Sequence, residues 1–401
     1  MTRERLVSTA RRALAHRAAG TQDQAAGVVA VPARHYTDPD RWATEMDRVF
    51  DRLPLVVAAS CELAEPGSYV SGEIHRTPYL VSRGADGVLR AFHNVCSHRG
   101  AIVTPPGRGA ARRHTCQYHA WSYDDRGRLA GVLDAADFGD IDRACMGLTP
   151  LRCAERAGLV WIIPSDEDAI DIDTFLCGYG EMLEHLELAD CHPVGRQTIA
   201  GPNWKIAYDG YLDLYHLPVL HRDSFGPEIS NKALYDAWGP HQRATSPDQG
   251  FERLVDTPEA DWAVRHLNGG VWTIFPHVSI ATMDAAGRMY MVSILSPGPD
   301  PSSSTTTQLF LHTRQLDESR LALAREQMGF FERVVRDEDY AMGAGVYRAL
   351  RSGAKQSVLF GRNEGGGQRF HAFLDQLLET DDGDLSQLFI DAAAESTSLS
   401  P

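Results

Sequence analysis

Two Cys/His pairs constrain this chain more than any other feature. Cys96 and His98 stand in "NVCSHRG", Cys116 and His119 in "HTCQYHAW", with 17 residues between the pairs. Thiolates and imidazoles are soft or borderline ligands, so two such pairs on neighbouring loops can pin a small domain around a metal centre. Cysteine is otherwise sparse. The seven cysteines (61, 96, 116, 145, 153, 177 and 191) are odd in number and scattered over 401 residues, which argues against a disulfide framework and for a reducing, cytoplasmic compartment. The first 20 residues carry five arginines and one glutamate but no continuous apolar core, so they read as a short amphipathic helix rather than a secretory signal. No apolar run approaches the roughly 20 residues that span a bilayer. A net charge of −15 repels a phosphate backbone, and the short "GRGAARRH" is too small a basic patch to reverse that, so neither membrane nor nucleic acid is expected as a partner.

Periodicity divides the chain into an α+β arrangement. Residues 1–50 read as a helical segment packing on the catalytic domain, with Trp42, Met46, Val49 and Phe50 at helical spacing. Residues 51–163 form short β-rich runs with turn signals such as "GADG", an all-β domain holding both Cys/His pairs. Residues 164–380 mix elements: "VWTIFPHVSIATMDAAGRMYMVSIL" and "TTTQLFLHTRQ" predict an antiparallel sheet, and Glu318 to Leu350 a long helix. Residues 381–401, acidic and then small and polar, are expected to be a partly disordered tail.

Four ligands in two pairs admit a tetrahedral zinc ion, an iron–sulfur cluster or coincidence. Zinc sites usually present C-x2–4-C knuckles, whereas here each loop supplies one Cys and one His. A Rieske-type [2Fe–2S] cluster puts two thiolates on one iron and two imidazoles on the other, which suits that arrangement. Trp121 is placed to cover such a cluster. At this point the chain resembles the α subunits of Rieske non-haem iron aromatic-ring-hydroxylating oxygenases, whose boxes read approximately C-x-H-R-G and C-x-Y-H-x-W; here they are "CSHRG" and "CQYHAW". Gln117 and Ala120 stand where that family often has proline and glycine.

A second constellation lies in "NWKIAYDGYLDLYHLPVLH", Asn203 to His221. On one continuous helix Asp209, Asp213 and His216 would share a face, with Pro218 interrupting near Leu217 so that His221 turns back toward His216. Two imidazoles and a carboxylate on one side of Fe(II) leave the other positions open for oxygen and substrate. An amphipathic helix with two satisfied histidines fits the same residues. The segment resembles the D-x2-H-x4-H motif of the same oxygenases, which implies His216 and His221 as iron ligands and Asp213 as an aspartate that meets a cluster histidine, His119, of a neighbouring subunit. Asp209 joins Asp213 among the expected catalytic residues, although Tyr208 and Asp209 replace the family's usual Glu-Asn.

For the third ligand, "RDEDY" offers Asp337, Glu338 and Asp339. At about 100° per residue Asp339 falls within the apolar stripe of Phe331, Val335, Met342, Val346 and Leu350, Glu338 at its edge and Asp337 opposite. A carboxylate in an apolar stripe is costly unless paired or metal-bound, so Asp339 is the candidate and the other two read as solvated. The resemblance spans roughly Tyr36 to Leu378. It implies an all-β Rieske domain followed by a helix-grip catalytic domain, one [2Fe–2S] cluster held by Cys96, His98, Cys116 and His119, and one mononuclear Fe(II). Electrons would come from NAD(P)H through a separate reductase, with or without a ferredoxin, to a homotrimer with or without a small β subunit.

The expected activity is O2-dependent hydroxylation of a hydrophobic, aromatic or cyclic small molecule. Monooxygenation or oxidative demethylation of a methylated or quaternary amine is the alternative, and a zinc-stabilised small-molecule-binding module is the non-enzyme one. Leu212, Leu217, Phe225, Ile274 and Met291 are the pocket candidates.

Overall fold

The computed structural model describes residues 2–164, 170–248, 250–284 and 287–398. The chain divides into two compact units, Phe50–Ala169 with Leu188–Asp190, and Met1–Val49 with Ile170–Glu187 and Cys191–Pro401. No described helix is long and apolar enough to cross a membrane.

The smaller unit is β-rich. Its seven-stranded antiparallel sheet runs in the order Leu55–Ala59, Leu159–Ile163, Pro150–Arg156, Leu89–His93, Thr77–Arg83, Ser68–Ile74 and Gly107–Ala110. A three-stranded sheet, Arg113–Thr115, Ser122–Asp124 and Leu129–Gly131, carries the second Cys/His loop. Cys96, Cys116, Trp121 and Tyr123 share one apolar cluster with Leu80, Phe92, Val103, Leu129 and Leu148, so the loops that bear the ligands are anchored in the core.

The larger unit is built on a second seven-stranded antiparallel sheet: His192–Gly201, Ser304–His312, Arg288–Pro297, Val278–Asp284, Val271–Ile274, His241–Thr245 and Leu234–Trp238. Ala324 of the helix Glu318–Val334 packs on Val194, Met289, Met291 and Phe310 of that sheet, joined by Leu321, Met328 and Phe331. The helix continues through a π-turn, Val335–Tyr340, into Ala341–Leu350. Helix and sheet together make the expected helix-grip, an α+β domain.

The helix Trp204–Leu212 is held by buried polar groups. Asn203 caps it, accepting from Lys205 N at 2.9 Å and Ile206 N at 3.3 Å while its amide donates to the carbonyls of Tyr36 and Pro301. Lys205 is fully buried and pairs with Glu45, which also accepts from Trp204 Nε1 at 3.0 Å and Arg41 Nε at 3.0 Å. Burial lowers the Lys205 pKa, and the Glu45 carboxylate opposes that shift. Two glycines allow close approach. A Cβ at Gly343 would lie 2.8 Å from Pro202 Cγ, and one at Gly366 would lie 2.7 Å from the Leu212 carbonyl oxygen.

The C-terminal segment departs from expectation. Leu385–Ser398 is helical, because Leu385 and Phe389 are buried and the Phe389 ring packs at an angle against Phe175 and Phe373, each at 5.2 Å. Small polar residues around those two anchors hid them in the sequence.

Breaking a buried ion pair strands its partner. Glu45→Gln, which leaves the Lys205 ammonium without a carboxylate, is expected to destabilise this unit by about 3–5 kcal/mol in urea unfolding, with Lys205→Met added to it recovering part of the loss. Equal stability of Glu45→Gln and wild type would show that the pair contributes nothing.

Candidate metal centres

The two Cys/His loops are the same backbone turn used twice. Cys96 N donates to the carbonyl of Ala101 at 2.8 Å and Gly100 N to that of Cys96 at 2.9 Å; Cys116 N donates to Trp121 at 2.8 Å and Ala120 N to Cys116 at 2.9 Å. In both, the residue four after the cysteine has positive φ, +74° at Gly100 and +56° at Ala120, which explains why glycine is favoured at the second position too. The unequal C-x-H and C-x2-H spacings therefore place His98 and His119 at different steps of equivalent turns, their ring centroids 4.6 Å apart.

The donor set fits a two-iron cluster. His98 Nδ1 is buried without a hydrogen-bond partner among the described residues, and burial, followed by the charges of His119 and Arg99, lowers its pKa and keeps the ring in the neutral form that binds metal. Its ring stacks on Trp121 at 4.8 Å and 11°. A second donor set lies in the other unit, where His216, His221 and Asp339 offer atoms within 4.8 Å of one another. Tyr123, which the sequence reading passed over, accepts from Ser97 N at 3.0 Å and so has its own hydrogen free for Cys96 Sγ at 3.2 Å. Burial first, then that sulfur, raises its pKa to about 12.

In the larger unit His216 Nε2 lies 3.6 Å and His221 Nε2 3.2 Å from Asp339 Oδ1. Each imidazole is fixed from behind. His216 Nδ1 is 2.9 Å from Asp213 Oδ2, and His221 Nδ1 2.6 Å from Glu338 Oε2, which also accepts from Ser224 Oγ at 2.9 Å. With both Nδ1 atoms engaged, both Nε2 lone pairs point to the same side as the Asp339 carboxylate, a donor set suited to one metal ion. Burial opposes a charged His221 ring, but Asp339 and then Glu338 outweigh it and raise the pKa.

Three local expectations are corrected. The helix expected to carry Asp209, Asp213 and His216 on one face ends at Leu212; Asp213 is extended, at φ −125° and ψ 128°, because its carboxylate takes the Tyr215 N–H and His216 Nδ1. Pro218 then lies in the first turn of a new short helix, Leu217–Leu220, where its missing N–H costs nothing. Asp209, expected among the catalytic residues with Asp213, faces elsewhere: it accepts from Tyr36 Oη at 2.8 Å and meets His371 Nε2 at 3.0 Å, and it does not line the cavity. Glu338, read as solvated, backs His221. The π-turn over Val335–Tyr340 is the reason, since its wider turn invalidates a 100° spacing and brings Glu338 and Asp339 to one side. Asp337 is at the surface, paired with Arg336 at 2.8 Å.

A cavity of about 830 Å³ opens on His216, His221, Asp339 and Asp213. Leu217, Phe225 and Met291 line it, whereas Leu212 and Ile274 are core residues away from its wall.

The family "Rieske [2Fe-2S] domain" matches residues 54–138, and "Ring hydroxylating alpha subunit (catalytic domain)" matches 188–380. The carnitine monooxygenase oxygenase subunit of Escherichia coli (strain K12) is 31% identical over 333 residues, covering 80% of this chain and 84% of that protein. The chain belongs to the Rieske non-haem iron oxygenase α subunits. Chloroplastic choline monooxygenase of Beta vulgaris is 30% identical over 266 residues, 62% of this chain and 58% of that protein. The crystal structure of the apo form of the quaternary ammonium Rieske monooxygenase CntA shares the fold, with a TM-score of 0.71, 24% identity, and coverage of 87% of this chain and 96% of that one. The protein is thus an oxygenase that carries a [2Fe–2S] cluster in its Rieske domain and a mononuclear iron in its catalytic domain, and its family draws electrons from a reductase.

Groups that orient a metal-binding histidine typically contribute 10–100-fold to affinity. Glu338→Gln is therefore expected to weaken Co(II) binding at the catalytic site by about that factor in spectroscopic titration, while Asp337→Asn leaves it unchanged. Equal weakening by both would assign the effect to general surface charge.

Proposed function

We propose that this oxygenase is a monooxygenase of a methylated quaternary ammonium compound, with His216, His221 and Asp339 holding the iron and Cys96, His98, Cys116 and His119 the cluster. When bound, the cluster supplies single electrons and the iron, through coordination positions the triad leaves open, supplies O2 activation. Asp213 and Glu338 hold the protons on the two Nδ1 atoms and so keep both rings aimed. The observation that carries the reading on this chain is an aromatic wall beside the triad: the Phe225 ring lies 5.1 Å from His221 and 5.9 Å from Phe331, with Tyr211, Phe251 and Tyr340 also on the cavity. Aromatic faces attract a cation that cannot hydrogen-bond, each contributing about 0.5–2 kcal/mol, and Asp339 and Asp213 add negative charge at the same end. Carnitine and choline monooxygenases among the relatives support this substrate class over an aromatic hydrocarbon.

Asp213 is also the residue we assign to meet His119 of a neighbouring copy, in a homotrimer served by a separate NAD(P)H-dependent reductase. A quaternary ammonium Rieske monooxygenase of solved structure has inter-subunit electron transfer, which supports that assignment. The seven cysteines form no disulfide among the described residues, which supports a reducing, cytoplasmic location.

Single turnover of chemically reduced protein tests the reading without the cognate reductase. A panel of trimethylammonium compounds and aromatic hydrocarbons, with labelled O2, is expected to give one-oxygen products from the ammonium compounds, and Asp213→Asn to slow substrate-dependent reoxidation of the cluster by about 10–100-fold. Two-oxygen products from the hydrocarbons alone would replace this reading with ring dihydroxylation.

A further inference from the structure

One wall of the cavity is cationic, in a chain whose net charge is −15. Arg253, Arg265, His266 and Arg288 all line it. Arg253 lies in the short helix Glu252–Leu254 and Arg265 and His266 in Val264–His266, both within the long connection between the strands His241–Thr245 and Val271–Ile274; Arg288 opens the strand Arg288–Pro297.

Two carboxylates share this wall, and each is engaged. Asp284 stands 3.9 Å from Arg288 Nε, and Glu252 lies 3.7 Å from Arg17 and accepts from Gly250 N at 2.9 Å. Arg288 is further held by Asn268 Oδ1 and the Arg265 carbonyl, both at 2.9 Å. Arg253 and Arg265 are both exposed, and neither guanidinium has an ion pair or side-chain hydrogen bond among the described residues, so both are open to a ligand.

Resting on the quaternary-ammonium reading above, we infer that the substrate is a zwitterion: Arg253 and Arg265, assisted by His266, form a subsite for a carboxylate in the wall of the cavity that holds the triad. A guanidinium fork matches a carboxylate in geometry and charge, and such charge-assisted bonds are the stronger kind. Burial, then the fields of Arg265, Arg253 and Arg288, lowers the His266 pKa, which favours a neutral imidazole able to donate one N–H. The two sets of groups thus discriminate by charge: aromatic rings and carboxylates for an ammonium, arginines for an anion. A carboxylate-free trimethylammonium alcohol would leave the arginines unmatched, and an apolar hydrocarbon would satisfy neither set.

Calorimetric titration of the iron-loaded, full-length protein with three probes tests the subsite: L-carnitine bears both charges, choline the ammonium alone and hexanoate the carboxylate alone. Arg253→Gln/Arg265→Gln is expected to weaken L-carnitine and hexanoate by about 10–100-fold and choline by less than about twofold. Arg253→Lys/Arg265→Lys, which keeps the charge, is expected to recover part of the loss and serves as the check on folding. L-carnitine and hexanoate affinities unchanged by the Gln pair, choline weakened as much as they are, or no binding of either carboxylate by wild type would each overturn the subsite. Arginine-dependent hexanoate binding in a protein that turns over no ammonium compound would uphold the anion subsite and remove the amine reading instead.

Discussion

A carboxylate hydrogen-bonded to the far nitrogen of each imidazole is the constraint from which the catalytic site follows. Asp213 holds His216 Nδ1 and Glu338 holds His221 Nδ1, so the two Nε2 atoms can face Asp339 only in one tautomer each. That requirement explains two local irregularities. Asp213 reaches its histidine only because the helix stops at Leu212, and Glu338 and Asp339 face the same histidines only because the long helix widens into a π-turn. Both breaks in regular structure lie at the site, where such irregularity is most often retained.

Behind the site, buried polar groups fix the helix Trp204–Leu212 from several directions. Asn203 caps it, Lys205 is tied to Glu45, and Asp209 to Tyr36 and His371. Apart from the local cap, these bonds join residues far apart in sequence, so the N-terminal segment, the site helix and the helix Gly365–Glu379 are cross-linked through largely buried polar atoms. Apolar packing alone would let the helix slide. A satisfied set of buried hydrogen bonds sets its position along the axis as well, and with it the distance from His216 to Asp339.

Much of this was legible in the chain. The spacing of Cys96, His98, Cys116 and His119 admitted a two-loop metal centre, which the flanking residues and the family resemblance narrowed to a cluster, and the alternation along "VWTIF…SIL" announced the antiparallel sheet. His216 and His221 were implied by the resemblance to the D-x2-H-x4-H motif, and the cost of an acid in an apolar stripe singled out Asp339. What escaped depended on backbone geometry that a uniform helix cannot represent. Glu338 lies one residue from Asp339 and was assigned to solvent because a π-turn leaves no residue signature. Asp209 was grouped with Asp213 because they are four residues apart, yet the helix end between them turns their carboxylates to different partners. Leu385 and Phe389 were too few to mark a helix among small polar residues. Arg253, Arg265 and His266 reach the cavity from an irregular connection whose path only the folded chain defines.

The central claim is that one chain houses two separable iron centres, the smaller of them resting on Asp339. Iron quantitation and electron paramagnetic resonance of wild type and Asp339→Ala address it most directly. Wild type is predicted to hold about three irons per chain, two in the cluster and one at the triad, and Asp339→Ala about two, with the reduced-cluster signal undiminished. A variant that keeps its full iron complement, or a wild type that carries zinc and no cluster signal, would contradict the account.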